Sequence, residues 1–156
     1  MTLNTNGIAS DVTGKRILIT GGASGIGAAS AILLASRGAK VVIGDMAEEM
    51  GAAVAKQAQD AGNNVVFKKV DVTSGDEVRA LFTFAMETLG GLDVVVNNAG
   101  IDHQPAPMHE LSDEDFDRNI AVNLKGVWHC MRAAVTCMAA NGGGHVINVA
   151  SIAGLR

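Results

Sequence analysis

The 156 residues contain no tyrosine, and other aromatics are sparse at one tryptophan and four phenylalanines. No phenol is therefore available here for proton transfer. There is no run of basic residues and the net charge is −4, which argues against a nucleic-acid partner. No stretch approaches the ~18 consecutive apolar residues of a membrane span. The segment from Met1 to Lys15 is polar and lacks the apolar heart of a secretory signal, and Met1–Thr13 is expected to be a loose tail. Only two cysteines occur, Cys130 and Cys137, seven residues apart on one face of a predicted helix. That spacing suits no metal motif and fits buried free thiols in a reducing cytoplasm. His109, His129 and His145 fall on separate predicted elements, so no metal site is expected. Internal repeats and low-complexity linkers are absent too.

What is present is a globular composition, with 48% apolar and 18% charged residues, and a length that suits one domain. Five short, mostly apolar segments read as strands: Lys15–Thr20, Ala39–Gly44, Asn64–Val70, Leu92–Val96 and His145–Ala150. Helical segments separate them, at Gly25–Arg37, Met46–Ala61, Ser74–Leu89 and one long stretch from Ser112 to about Ala140. Ser74 with Glu77 has the spacing of a capping box, and Ser112 precedes Asp113, Glu114 and Asp115 in the first turn of the long helix. Pro105 and Pro107 mark a loop, and Gly142–Gly144 a helix-to-strand turn. On the long helix, Trp128 reads as core or interface, and Met131 and Met138 as core filler. Strand–helix alternation of this kind predicts an α/β fold, a doubly wound parallel sheet with helices on both faces.

In such a sheet ligands bind beyond the carboxyl ends of the strands. The first strand runs into Thr20-Gly21-Gly22-Ala23-Ser24-Gly25-Ile26-Gly27, and a helix follows. Glycine permits the sharp turn and a close approach of backbone to ligand, and the helix start offers N–H groups to a pyrophosphate. The second strand ends at Asp45, 24 residues after Gly21. A carboxylate there can accept from both hydroxyls of an adenosine ribose and would repel a 2′-phosphate, so NAD is favoured over NADP. The plain alternative is an ordinary turn aspartate. After the third strand, the Asp71 side chain could accept from an adenine amino group and Val72 N–H could donate to the ring. Asp71 could equally be a turn residue capping the next helix. The fourth strand leads into Asn97-Asn98-Ala99-Gly100, where the amides can satisfy stray backbone groups and the small pair lets backbone pass a ligand. Asp102, His103 and Gln104 come next, on a loop facing the expected cleft.

These runs, together with Asn123-Leu124-Lys125-Gly126 and Asn148-Val149-Ala150-Ser151, resemble the short-chain dehydrogenase/reductase family over residues 12–156, in the family's order and approximate spacing. The resemblance implies a Rossmann-like, three-layer α/β/α domain and an NAD-dependent oxidoreductase acting on a secondary alcohol or ketone. It implies that Gly21, Ala23, Ser24, Gly25, Ile26 and Gly27 bind the pyrophosphate and adenosine ribose. Asp45 would then select NAD, Asp71 and Val72 would hold the adenine, and Asn98, Ala99 and Gly100 would line the ribose path. Asn123 would help to place a water in a proton relay, and Ser151 would hydrogen-bond the substrate oxygen. A homo-oligomeric parent, dimer or tetramer, is implied as well.

The family's Tyr-x-x-x-Lys pair would fall about a dozen residues past Ser151, beyond Arg156. Residues 1–156 are thus expected to form a dinucleotide-binding domain that is incomplete after the fifth strand, with little turnover of its own. The competing expectation is a short chain that binds a dinucleotide or a partner without catalysis.

Overall fold

The computed structural model describes residues 12–102 and 106–151. The expectations for the N-terminal tail up to Asp11 and for His103, Gln104 and Pro105 lie outside the described residues. Five strands, β1 (Arg16–Thr20), β2 (Lys40–Asp45), β3 (Val65–Lys69), β4 (Val94–Asn97) and β5 (His145–Asn148), pair in parallel in the order β3-β2-β1-β4-β5. Helices α1 (Gly25–Ser36), α2 (Glu48–Asp60), α3 (Gly75–Leu89), α4 (Asp113–Asn119) and α5 (Val127–Ala139) connect them. The result is the doubly wound, Rossmann-like sheet that the alternation predicts.

The period-two geometry of strands explains how each face is filled. Ile17 and Ile19 of β1 point to one side, where Val41, Ile43 and Val65 meet the small residues Ala31, Ala35, Ala55 and Ala58 of α1 and α2. Leu18, Val42 and Val95 point to the other, against Val78, Leu81, Phe82 and Ala85 of α3 and Cys130, Ala134 and Met138 of α5. Arg16 and Asp93, at the amino ends of β1 and β4, form a bidentate pair at 2.7 and 3.0 Å. No helix among the described residues is long and apolar enough to cross a membrane.

Three expectations need correction, and that for Trp128 narrows to the surface. The stretch after Ser112 is a composite: α4 passes into a seven-residue π-helical stretch, Ile120–Gly126, before α5 begins. A π turn bonds i to i+5 and is wider than an α turn. Here it coincides with two tertiary demands, the Asn123 amide turned onto the Ile101 backbone and Gly126 pressed against Val72. The Ser74 box is half formed. Ser74 Oγ accepts from Glu77 N–H at 3.3 Å, but the Glu77 carboxylate accepts from Asp71 N–H, 2.9 Å away, instead of closing on Ser74. Met131 is 39% exposed and so is not core filler, whereas Met138 is buried. Trp128 is 52% exposed with Arg132 stacked 4.3 Å over its ring, which removes it from the core.

Candidate dinucleotide cleft

From β1 the chain winds outward through β2 to β3, then returns to place β4 on the other side of β1. The connections leaving β1 and β4 therefore diverge, and a crevice opens between them beyond the strand ends. A cleft of about 470 Å³ lies there, lined by Gly21, Asp45, Asp71, Val72, Ala99 and Gly100 among others. Four strand ends thus converge on one space.

The glycine loop is built by steric exclusion. Gly21 has φ of +68°, and a Cβ there would stand 2.8 Å from Ala99 Cα. At Gly22 a Cβ would lie 2.5 Å from Ile43 Cβ. At Gly27 a Cβ would overlap the Gly21 carbonyl oxygen and sit 2.6 Å from Asn98 Nδ2. Gly25 differs: its φ is +52°, and a Cβ there would meet nothing within 4 Å. The backbone at Gly25 is therefore open to an approaching group. Ser24 caps α1 in extended conformation without a side-chain cap bond, and Ser24 and Ile26 are exposed. The first-turn N–H groups of α1 have no intrahelical acceptor by the geometry of a helix start, which makes this end a cradle for an anion.

The loop is fastened from β4. Asn98 Nδ2 donates to the carbonyls of Thr20 and Gly21, both at 3.0 Å. Thr20 Oγ1, buried, accepts from the N–H groups of Asn98 at 3.1 Å and Ala99 at 3.2 Å. The Asn98 side chain thus lies behind the glycine loop; Ala99 and Gly100 are the members of the run that line the cleft. Asn97 Nδ2 donates to Asn148 Oδ1 at 2.8 Å, tying the ends of β4 and β5.

Asp45 is half-buried, and its two oxygens accept from different amides, Oδ2 from Ala23 N–H and Oδ1 from Ala47 N–H, both at 3.0 Å. These bonds fix the carboxylate at the edge of the cleft, beside the loop, and leave lone pairs on both oxygens. Asp71 Oδ1 accepts from Thr73 N–H and Thr73 Oγ1, each at 2.8 Å, so Asp71 holds its own turn while lining the cleft. Val72 N–H has no partner among the described residues.

Asn123 reaches the segment after the Asn-Asn-Ala-Gly run. Its Oδ1 accepts from Ile101 N–H and its Nδ2 donates to the Ile101 carbonyl, both at 2.8 Å. Ser151 is exposed, three residues beyond β5, and does not belong to the cleft lining. The residues that sequence reasoning missed are Thr20, whose hydroxyl holds two amides, and Met46, Thr73 and Arg118, which line the cleft. Arg118 shares a helical face with Ala121 and Val122 at i, i+3 and i+4, all lining the cleft, and that spacing is readable in the sequence. Among the described residues no cluster of metal-ligating side chains occurs. Both thiols are free; burial pushes Cys130 up to about 12 and raises Cys137.

A parallel sheet in the order β3-β2-β1-β4-β5 with a glycine loop at its switch point is a Rossmann-like α/β fold. The family model described as short chain dehydrogenase matches residues 15–156, and the chain belongs to that family. It is 49% identical over 137 residues to cis-4-hydroxycyclohexanecarboxylate dehydrogenase of Sinomonas cyclohexanicum, covering 88% of this chain and 55% of that protein. To a 3beta-hydroxysteroid dehydrogenase of Mediterraneibacter gnavus it is 44% identical over 142 residues, covering 91% of this chain and 51% of the relative. Among solved structures, a short-chain type dehydrogenase/reductase from Mycobacterium marinum superposes with a TM-score of 0.88 at 35% identity, over 94% of this chain and 59% of that one. An NAD+-bound xylitol dehydrogenase gives 0.89 at 29% identity, over 94% and 56%. The chain spans a little over half the length of these relatives.

Proposed function

We propose that the protein is an NAD-dependent oxidoreductase that moves hydride between a secondary alcohol or ketone and NAD(H), and that residues 1–156 supply its cofactor-binding half. The observation that carries this reading is the convergence of four strand ends on one cleft, with an open helix start at its edge. NAD, when bound, would accept or return the hydride at its nicotinamide. The residues lining the cleft fit that group. Ser24, Gly25, Ile26 and Gly27 would meet the pyrophosphate and the neighbouring ribose with backbone N–H groups and the α1 start, while Ala23, whose N–H is given to Asp45, would shape the loop. Asp45, fixed by two amides, would accept from the ribose hydroxyls and repel a 2′-phosphate. Val72 N–H and the Asp71 carboxylate would meet the adenine edge, and Ala99 and Gly100 would leave room for the second ribose. Asn123 would act from the π-helical stretch, and Ser151 would hold the substrate oxygen.

Proton transfer would need a tyrosine, and the 156 residues hold none. The second reading is a chain that binds a dinucleotide without turnover. NADH formation with a panel of secondary alcohols separates the two. A full-length protein carrying Tyr-x-x-x-Lys should turn over, while residues 1–156 alone should show next to none. Robust turnover by the 156 residues would contradict the assignment of proton transfer to the segment beyond them.

A homo-oligomeric parent is supported by the apolar stripe Ile120, Leu124, Trp128 and Val135, all exposed. The free thiols, Cys130 buried and Cys137 half-buried, would fit a reducing cytoplasm.

A further inference from the structure

Buried polar side chains among the described residues are Thr20, Asn97 and His129. Thr20 and Asn97 serve the strand ends, and the proposed reaction leaves His129 without a task. Its Nδ1 lies 3.0 Å from the carbonyl oxygen of Val72, 57 residues away in sequence. A carbonyl can only accept, so Nδ1 carries the proton and donates, whether the ring is neutral or charged. Val72 sits in the turn after β3 that lines the cleft.

The rest of that turn is held as well. Asp71 N–H donates to the Glu77 carboxylate, Asp71 carbonyl accepts from Ser74 N–H at 3.1 Å, and Thr73 N–H donates to Asp71 Oδ1. Gly126, three residues before His129, packs so closely that a Cβ there would lie 2.8 Å from Val72 Cγ2. Val72 is thus gripped from the α5 end through both its side chain and its carbonyl. The N–H of Val72 and the free oxygen of Asp71 are the groups left to face the cleft.

We propose that His129 is a positioning residue for the adenine end of the cleft. Its Nδ1–H fixes the Val72 carbonyl, and with it the direction in which Val72 N–H and the Asp71 carboxylate meet an adenine ring. The inference rests on the dinucleotide reading of the cleft. It names a residue outside the cleft, on α5, that sets adenine affinity through the peptide it holds.

The test is titration of the full chain with AMP and with NAD+, before and after substitution. His129→Leu removes the donor and should weaken both ligands by the same factor, about tenfold, the scale of one mispositioned hydrogen-bond contact. His129→Asn, which can place an amide N–H near the Nδ1 position, should recover affinity to within about threefold. Unchanged AMP affinity in a folded His129→Leu protein would overturn the inference, as would a His129→Asn variant no better than His129→Leu. Failure of the unsubstituted protein to bind either ligand would instead refute the dinucleotide reading and take the inference with it. Should His129→Leu not fold, the 15N spectrum of the unsubstituted imidazole decides: Nδ1 should carry the proton, and a bare Nδ1 would overturn the proposal.

Discussion

A methyl group at Gly27 would collide with the Gly21 carbonyl and crowd the Asn98 amide that holds the loop. Both neighbours are fixed, the first by its backbone and the second by two 3.0 Å bonds, so neither can move aside at low cost. Gly27→Ala should therefore cost about 1–3 kcal/mol of stability and abolish detectable NAD+ binding, checked by urea unfolding and calorimetry on one preparation. Asp93 offers a residue-scale test that leaves the cleft untouched. The hydrogen bond from Arg16 holds its carboxyl down at about 2. A folded-state value below the unfolded one, ~3.9, means stability that is present above pH 4 and lost as the pH falls towards 2. With 28% of the Asp93 side chain exposed, solvent screening keeps the contribution to about 1 kcal/mol. Asp93→Asn should thus be less stable than the parent at pH 7, and the gap should close between pH 4 and pH 2. A gap that persists unchanged at pH 2 would contradict the assignment. Neither partner of this pair is singled out by periodicity. Their meeting depends on the β1–β4 register, which a linear pattern does not contain.

At the scale of elements, the five strands and the first three helices were legible because each carries a local cause. The strands are short aliphatic runs, and glycine or a capping serine ends or begins the helices. The π-helical stretch was not legible, because its causes are distant in sequence: Ile101, 22 residues from Asn123, and Val72, against Gly126. Asn123 bridges the Ile101 peptide through donor and acceptor at once, and it also donates to Asn119 Oδ1 at 3.0 Å. Asn123→Ala should release the segment after β4, speed amide exchange at Ile101 and cost about 1–2 kcal/mol. Unaltered exchange at Ile101 would show that the bridge carries no weight. Sequence reasoning gave Asn98 a place along the ribose path. The structure instead sets its side chain behind the loop, where the acceptors are backbone carbonyls that no motif displays.

For the whole molecule, the order β3-β2-β1-β4-β5 is what makes one site from four distant segments. Alternation of strands and helices foretold the layers, and the spacing of Asp45 from the glycine loop foretold their meeting at the cleft. Arg118 escaped notice because it enters the cleft from α4, across the crevice from the strand ends that sequence reasoning surveyed. The cleft is lined by residues from Gly21 to Val122, so the proposed adenine and ribose contacts all fall in that stretch. Isothermal titration with NAD+ and NADP+, repeated on Asp45→Ala, tests whether the cleft takes NAD. One NAD+ should bind per chain, NADP+ at least about tenfold more weakly, and Asp45→Ala should erase that preference, since one like-charge contact is worth roughly that factor. Tighter binding of NADP+, or no saturable binding of NAD+, would contradict the account.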